Sequence, residues 1–414
     1  MSFLHPRHWW LPADVAPGAS LLLASRMLRG FADGFVAVLL PAYLGALGFG
    51  VVEIGVLGTL TLAGSAAATL ALGTLGHRVA PAKLMLATAA TMVATGLGFA
   101  GLHAFWPLAL VAFVGTLNPS SGDVSVFLPL EHARLAQAAS GSAARTALFA
   151  RYALLGSLSA AIGALASGWP DWWARQGGSA LAAMRAMFVL YALVGAAVAL
   201  LYRRLHLRED AARDGAAAGS PTPQPLGASR RIVVQLAVLF SVDSFAGALL
   251  VNSLMALWLF QRFGLSLASA GRFFFVAGLL TTASQLLAPA LARRIGLVNT
   301  MVFTHVPANL FLIGAAFAPS LAVALGLLFA RHALASMDVP ARSAFVMAVV
   351  TPAERVAATS FTLAPKSLAA ALGPMAGAAL LASGVPAAPL VACGALKIAY
   401  DLTLLALFRR HPVD

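Results

Sequence analysis

The sequence predicts an all-α membrane protein of twelve transmembrane helices, arranged as two pseudo-symmetric six-helix bundles, and three observations carry that prediction. The 414 residues are 60% hydrophobic and only 10% charged, whereas soluble domains carry about 25% charged residues. Apolar runs of helix length recur along the chain, six on each side of a polar stretch at 205–229, and helices are one of the two backbones that satisfy their own polar groups in hydrocarbon. The charged residues inside those runs also repeat. Asp33 recurs as Asp243 at an offset of 210, Asp123 and Arg151 recur as Asp338 and Lys366 at 215, and Arg78 recurs as Arg294 at 216.

Residues 1–16 form a polar lead without the apolar core of a cleavable signal. Helices are predicted at about Gly18–Gly45, Val51–Leu75, Ala82–Leu102, Phe105–Ala133, Ser142–Ala166 and Leu181–Tyr202. The fourth contains Asn118-Pro119-Ser120-Ser121-Gly122-Asp123 and cannot be a regular helix, because Pro119 removes a backbone donor. Gly168-Trp169-Pro170-Asp171-Trp172-Trp173 reads as an aromatic interfacial loop. The stretch 205–229, with Pro221-Thr222-Pro223-Gln224-Pro225, reads as a flexible linker. It separates an N-terminal bundle, 1–204, from a C-terminal bundle, 230–414. Six further helices follow, at about Ile232–Phe260, Ser266–Ala292, Leu297–Ala318, Leu321–Val349, Ala353–Ala382 and Ala387–Phe408.

The formal charge of +13 is spread through the turns instead of along one face, so it reads as a topology signal and not as a nucleic-acid surface. Arg78, Lys83, Arg134, Arg293, Arg294, Arg355 and Arg409 mark one side, while the turns after the first, third, ninth and eleventh helices hold no Lys or Arg. Both termini and the linker are expected in the cytoplasm of a bacterial-type inner membrane. The single cysteine, Cys393, excludes a disulfide framework. No phosphate-cradling Gly-x-x-x-x-Gly-Lys motif, zinc-helix motif or metal-ligand spacing occurs, so no cofactor and no metal are expected.

Function is sought among the charges inside apolar runs, which are costly there unless paired or used. Asp123 and Arg151 stand 28 positions apart, as do Asp338 and Lys366, and each pair is predicted to meet across a helical hairpin. These pairs read equally as structural ties or as part of the substrate cavity, with Asn118 and Arg29 nearby. Asp33 and Asp243 lie near mid-membrane on the first helix of each half. Arg29 is placed to pair with Asp33 in cis, one turn away, while Asp243 has no such neighbour. An acid buried without a partner can cycle between neutral and charged forms, so both are predicted to couple protons. Glu131 and Arg134 read as interfacial charges, Lys397 and Asp401 as a pair one turn apart, and His305 and His332 as hydrogen-bonded interior residues.

With two six-helix halves and a basic central linker, the chain resembles a transporter of the major facilitator superfamily, loosely like its drug/proton antiporter branch. Gly73-Thr74-Leu75-Gly76-His77-Arg78 is similar to the family's loop signature, with His77 at the aspartate position, and Leu291-Ala292-Arg293-Arg294-Ile295-Gly296 repeats it. Gly156 and Gly163 fall on the fifth helix and Gly373-Pro374-Met375-Ala376-Gly377 on the eleventh. The resemblance implies a monomer that moves a small-molecule substrate by alternating access, with a cavity lined by the first, fourth, seventh and tenth helices and Arg78, Arg293 and Arg294 in gating loops. Asp33, Asp123, Asp243 and Asp338 outnumber Arg151 and Lys366 in that expected cavity. This balance favours proton-coupled efflux of a cationic or zwitterionic compound, with proton-coupled uptake of a polar metabolite or metal chelate as the alternative. An enzyme is a distant third, for want of a catalytic constellation.

Overall fold

A chain this apolar satisfies its backbone by forming helices, and the computed structural model is helical along its length. It describes residues 15–16, 18–75, 79–120, 126–139, 142–210, 227, 229–351 and 354–409. Among them are α1 (Ala19–Ala46), α2 (Val51–Leu75), α3 (Pro81–Gly101), α4 (Phe105–Val114), α5 (Phe127–Ala138), α6 (Ser142–Ala166), α7 (Trp169–Arg175) and α8 (Ala180–Asp210). Beyond the linker come α9 (Arg230–Ala248), α10 (Asn252–Phe263), α11 (Leu267–Ile295), α12 (Leu297–Ala316), α13 (Leu321–Leu334), α14 (Asp338–Val349), α15 (Arg355–Ala382) and α16 (Ala388–Phe408). Ten stretches of the described residues are long and apolar enough to cross a membrane. Every one of the twelve expected segments carries helix, but three are broken.

Each break has its own cause. The fourth segment stops at Val114 and resumes at Phe127, around the expected Pro119. There the Asn118 side-chain oxygen accepts from the Ser120 amide at 3.2 Å and hydroxyl at 2.7 Å, so a buried side chain replaces the helical bond. The tenth segment breaks between α13 and α14. Pro340 has no N–H for the carbonyl four residues back, and it falls in the first turn of the restarted helix. The seventh breaks between Ala248 and Asn252 without a proline. Its backbone is satisfied from the other half, for the Ser253 amide donates to the Pro119 carbonyl at 3.1 Å. The expected loop at Gly168 is instead the short helix α7, whose Trp172 and Trp173 stay exposed.

Small residues set how close the helices come. α1 packs on α6 and α9 on α15, and across the middle α2 packs on α15 and α6 on α11. A Cβ on Gly163 would collide with the Phe31 carbonyl, and one on Gly377 with the Leu249 carbonyl. The sequence's helix-5 and helix-11 glycines therefore mark the same contact in each half, backbone against backbone with the first helix. Outward-facing positions are apolar, with Trp106, Leu110, Leu193, Leu286 and Phe317 among the exposed residues, as a lipid-facing surface requires.

Two polar ties close ends of the molecule. Glu354 accepts the Gly227 amide at 2.7 Å and the Ser229 amide at 3.0 Å, and the Ser229 side chain first, then the Gly227 amide, hold its carboxyl below the ordinary range. Asp171 of α7 accepts the Ala268 amide at 2.7 Å, capping α11 from the opposite half. Asp171→Ala is expected to weaken this contact by about 0.5–2 kcal/mol and to speed amide exchange across 266–270. Unchanged exchange there would show that the cap does not hold the two halves together.

Candidate functional site

The three helix breaks converge on one cavity of about 370 Å³ between the halves, and Ser120, Asn252, Ala335 and Ser336 bring residues from all three breaks to its wall. α1 contributes Arg26 and Asp33, α6 contributes Ser157, and α11 contributes Thr281 and Gln285. His305, Arg331, His332 and Lys397 complete the polar lining. The first, fourth, seventh and tenth segments thus line it as expected, joined by the fifth, eighth, ninth and twelfth.

The charge balance of the wall differs from the expectation. Of the expected acids, Asp33 alone lines it among the described residues, opposite Arg26, Arg331 and Lys397. Asp123 lies outside the described residues, as does Arg78. Arg151 and Lys366 sit half-buried on α6 and α15 but are not in the lining. Arg293 and Arg294 are exposed in the last turn of α11.

Buried ion clusters lie beside the cavity, one in each half, and their pairings correct several readings of the sequence. Arg29 pairs with Glu131, not with Asp33. Glu131 is fully buried instead of interfacial, and also accepts Ser25 at 2.7 Å, Tyr202 at 2.5 Å and Tyr152. The Arg29 guanidinium lies 4.3 Å from the Phe127 ring centre. One acid thus ties α1, α5, α6 and α8 together. Beside it Arg26 occupies space left by the missing side chain of Gly156, 5.1 Å from the Tyr152 ring centre.

In the other half Asp243 is the partnered acid. One oxygen takes Lys397 at 2.6 Å and the other Arg342 at 2.9 Å. Arg342 also holds Asp338, one turn back on α14, so Asp338 pairs within its own helix and not with Lys366. Asp401 takes His305 at 3.0 Å instead of Lys397, which makes His305 the hydrogen-bonded interior residue expected. Spacing of four along α16 put Lys397 and Asp401 on one face, but each meets a different helix across it. Glu131 lies on the fourth segment and Arg342 on the tenth, its counterpart in the repeat. The halves therefore place an ion pair between equivalent segments with its polarity reversed. The sequence carried this signal as charges of opposite sign on the fourth and tenth segments, Glu131 and Arg342.

Comparison with known proteins agrees with this architecture. A family model described as Major Facilitator Superfamily matches residues 22–331. An uncharacterized membrane protein of Saccharomyces cerevisiae, YJR124C, is 24% identical over 94% of this chain and 93% of its own. Among solved structures, the nucleoside transporter NupG superposes with TM-score 0.69 at 15% identity, over 95% of this chain and 99% of that one. A bacterial homolog of the human lysosomal transporter Spinster, inward-facing and occupied, gives 0.65 at 16% identity over 94% of each chain. With twelve helical segments, a cavity at the centre and a family match across most of its length, the chain belongs to the Major Facilitator Superfamily and is a transporter, not an enzyme.

Proposed function

We propose that this protein is a proton-coupled secondary transporter that binds a small polar solute carrying negative charge together with a proton. The observation that carries this reading is Asp33 sharing a cavity wall with Arg26, Arg331 and Lys397. An anionic group is attracted by three cations and repelled by one carboxylate. Protonating Asp33 removes the repulsion, so solute and proton each favour the other's binding, by the reciprocity of linked equilibria. Asp243 has both oxygens committed to cations, which gives it a structural role, while Asp33 lies on the cavity wall itself and is read as the carrier. Efflux of a cationic compound by antiport is disfavoured by the same wall, where a cation would meet like charge. In this reading the halves, 1–204 and 230–414, rock about the cavity, with both termini cytoplasmic as the basic turns indicate.

The test is proton movement in proteoliposomes holding a pH dye, challenged with lactate, gluconate and glycerol 3-phosphate, then with choline and tetraphenylphosphonium. Anions are expected to carry protons inward with them. Asp33→Asn should lose this coupling to background while still exchanging labelled anion for unlabelled. Proton release driven by the organic cations would establish the antiport reading instead. Full coupling in Asp33→Asn would remove Asp33 from the mechanism.

A further inference from the structure

Arg331, in the cavity wall, has no counter-ion among the described residues. Arg29 pairs with Glu131, Arg342 with Asp243 and Asp338, and Lys397 with Asp243. Arg331, in the last turn of α13, makes no ion pair, and its Nε is sealed from solvent without a hydrogen-bond partner. Its neighbour His332 directs Nδ1 at the Thr281 hydroxyl, 3.3 Å away, while Nε2 is likewise sealed and unpartnered. Arg331, His332 and Thr281 all line the cavity.

Arg331 is half-buried, and a guanidinium withdrawn from solvent without an acid costs stability unless something else answers its charge. The carbonyl end of α13 answers part of it, because the negative end of the helix dipole lies there. The rest is left for an occupant. Two features suit a negative one. Ser336 and Val339, at the start of α14, border the same space, bringing the positive end of that helix to it. Lys397 approaches from α16. Lys397 would leave its 2.6 Å contact with Asp243 to meet a solute. Asp243 keeps Arg342 on its second oxygen at 2.9 Å, so it is not stranded when Lys397 leaves.

We propose that Arg331 is the anion seat of the transport site. Its planar guanidinium takes a carboxylate of the solute through paired N–H donors, and His332 Nε2 and Lys397 close around the same group. A single guanidinium seat suits a singly charged organic acid. Asn252, Gln285 and Ser157 in the lining receive its hydroxyl or amide groups. The proposal rests on the transport reading above and names its substrate class.

Thermal unfolding of the purified full-length protein in an uncharged maltoside detergent, at one pH and without a gradient, tests the seat. The probes are lactate, gluconate and glycerol 3-phosphate, each against its uncharged counterpart lactamide, glucose or glycerol. A carboxylate is expected to raise the unfolding temperature of the natural protein, more than the phosphate does, and the uncharged partners not at all. Arg331→Gln is expected to unfold at a higher temperature than the natural protein without a probe, since an unmatched half-buried charge is gone. It should bind the carboxylate roughly ten- to a hundredfold more weakly, the loss of one charged hydrogen bond, with Arg331→Lys intermediate. The proposal is overturned if no anion gives an Arg331-dependent shift, or if Arg331→Gln lowers the probe-free unfolding temperature. Because binding is read without a gradient, the seat can hold when Asp33→Asn retains coupling, and it can fail when coupling is lost.

Discussion

Arg29→Leu is expected to cost the protein about 3–5 kcal/mol, the range for removing one member of a buried ion pair. The Glu131 carboxylate then stays in the bundle interior with Ser25, Tyr152 and Tyr202 but no positive charge. Hydroxyls solvate an anion less well than a guanidinium does, so the three remaining donors soften the loss without cancelling it. The leucine also gives up the contact of the guanidinium with the Phe127 ring. Equilibrium unfolding in detergent measures the effect, and the double change Arg29→Leu with Glu131→Gln separates its parts. If the buried charge is the cause, the double variant recovers a large share of the loss. A single-variant cost under about 1 kcal/mol would mean that Glu131 does not depend on Arg29, against the cited range.

Asp243→Asn is expected to destabilise by a similar amount, about 3–5 kcal/mol, and more than Lys397→Met does. Asp243 serves two cations, whereas Lys397 serves one acid. Removing the carboxylate strands the Lys397 ammonium, while Arg342 retains Asp338. Removing the ammonium leaves Asp243 still paired with Arg342. The order of the two costs is therefore the informative quantity. Adding Lys397→Met to Asp243→Asn should restore part of the stability, since no unpaired charge then remains on α16. If Lys397→Met proves the more costly of the two, Arg342 does not neutralise Asp243 and the description of a shared acid is wrong.

The N-terminal and C-terminal clusters also explain which parts of the chain could be read in advance. Helical class, the polar linker and the offsets of the repeat follow from composition and from distances along one chain, which are present in any sequence. The break at Pro119 was legible because proline lacks a donor wherever it stands. His305 was legible as an interior hydrogen-bonding residue because a polar ring in an apolar run must find a partner.

What the sequence determined by itself was therefore the class of the molecule, its twelve helical segments and the set of charges that had to be accommodated in an apolar interior. Tertiary structure alone decided how those charges were accommodated. Local spacing put Arg29 beside Asp33 and Lys397 beside Asp401, but an ion pair in a low-dielectric interior forms where two helices bring its ends within about 3 Å. Packing of α1 on α5 and of α9 on α16 brought Glu131 to Arg29 and Asp243 to Lys397. The break before Asn252 had no local signal for the same reason, since the Ser253 amide is satisfied by Pro119 in the other half. Arg331 stood in the sequence as one ambiguous charge among several. It became the candidate seat only when folding gave Arg29, Arg342 and Lys397 an acid and left none for it among the described residues.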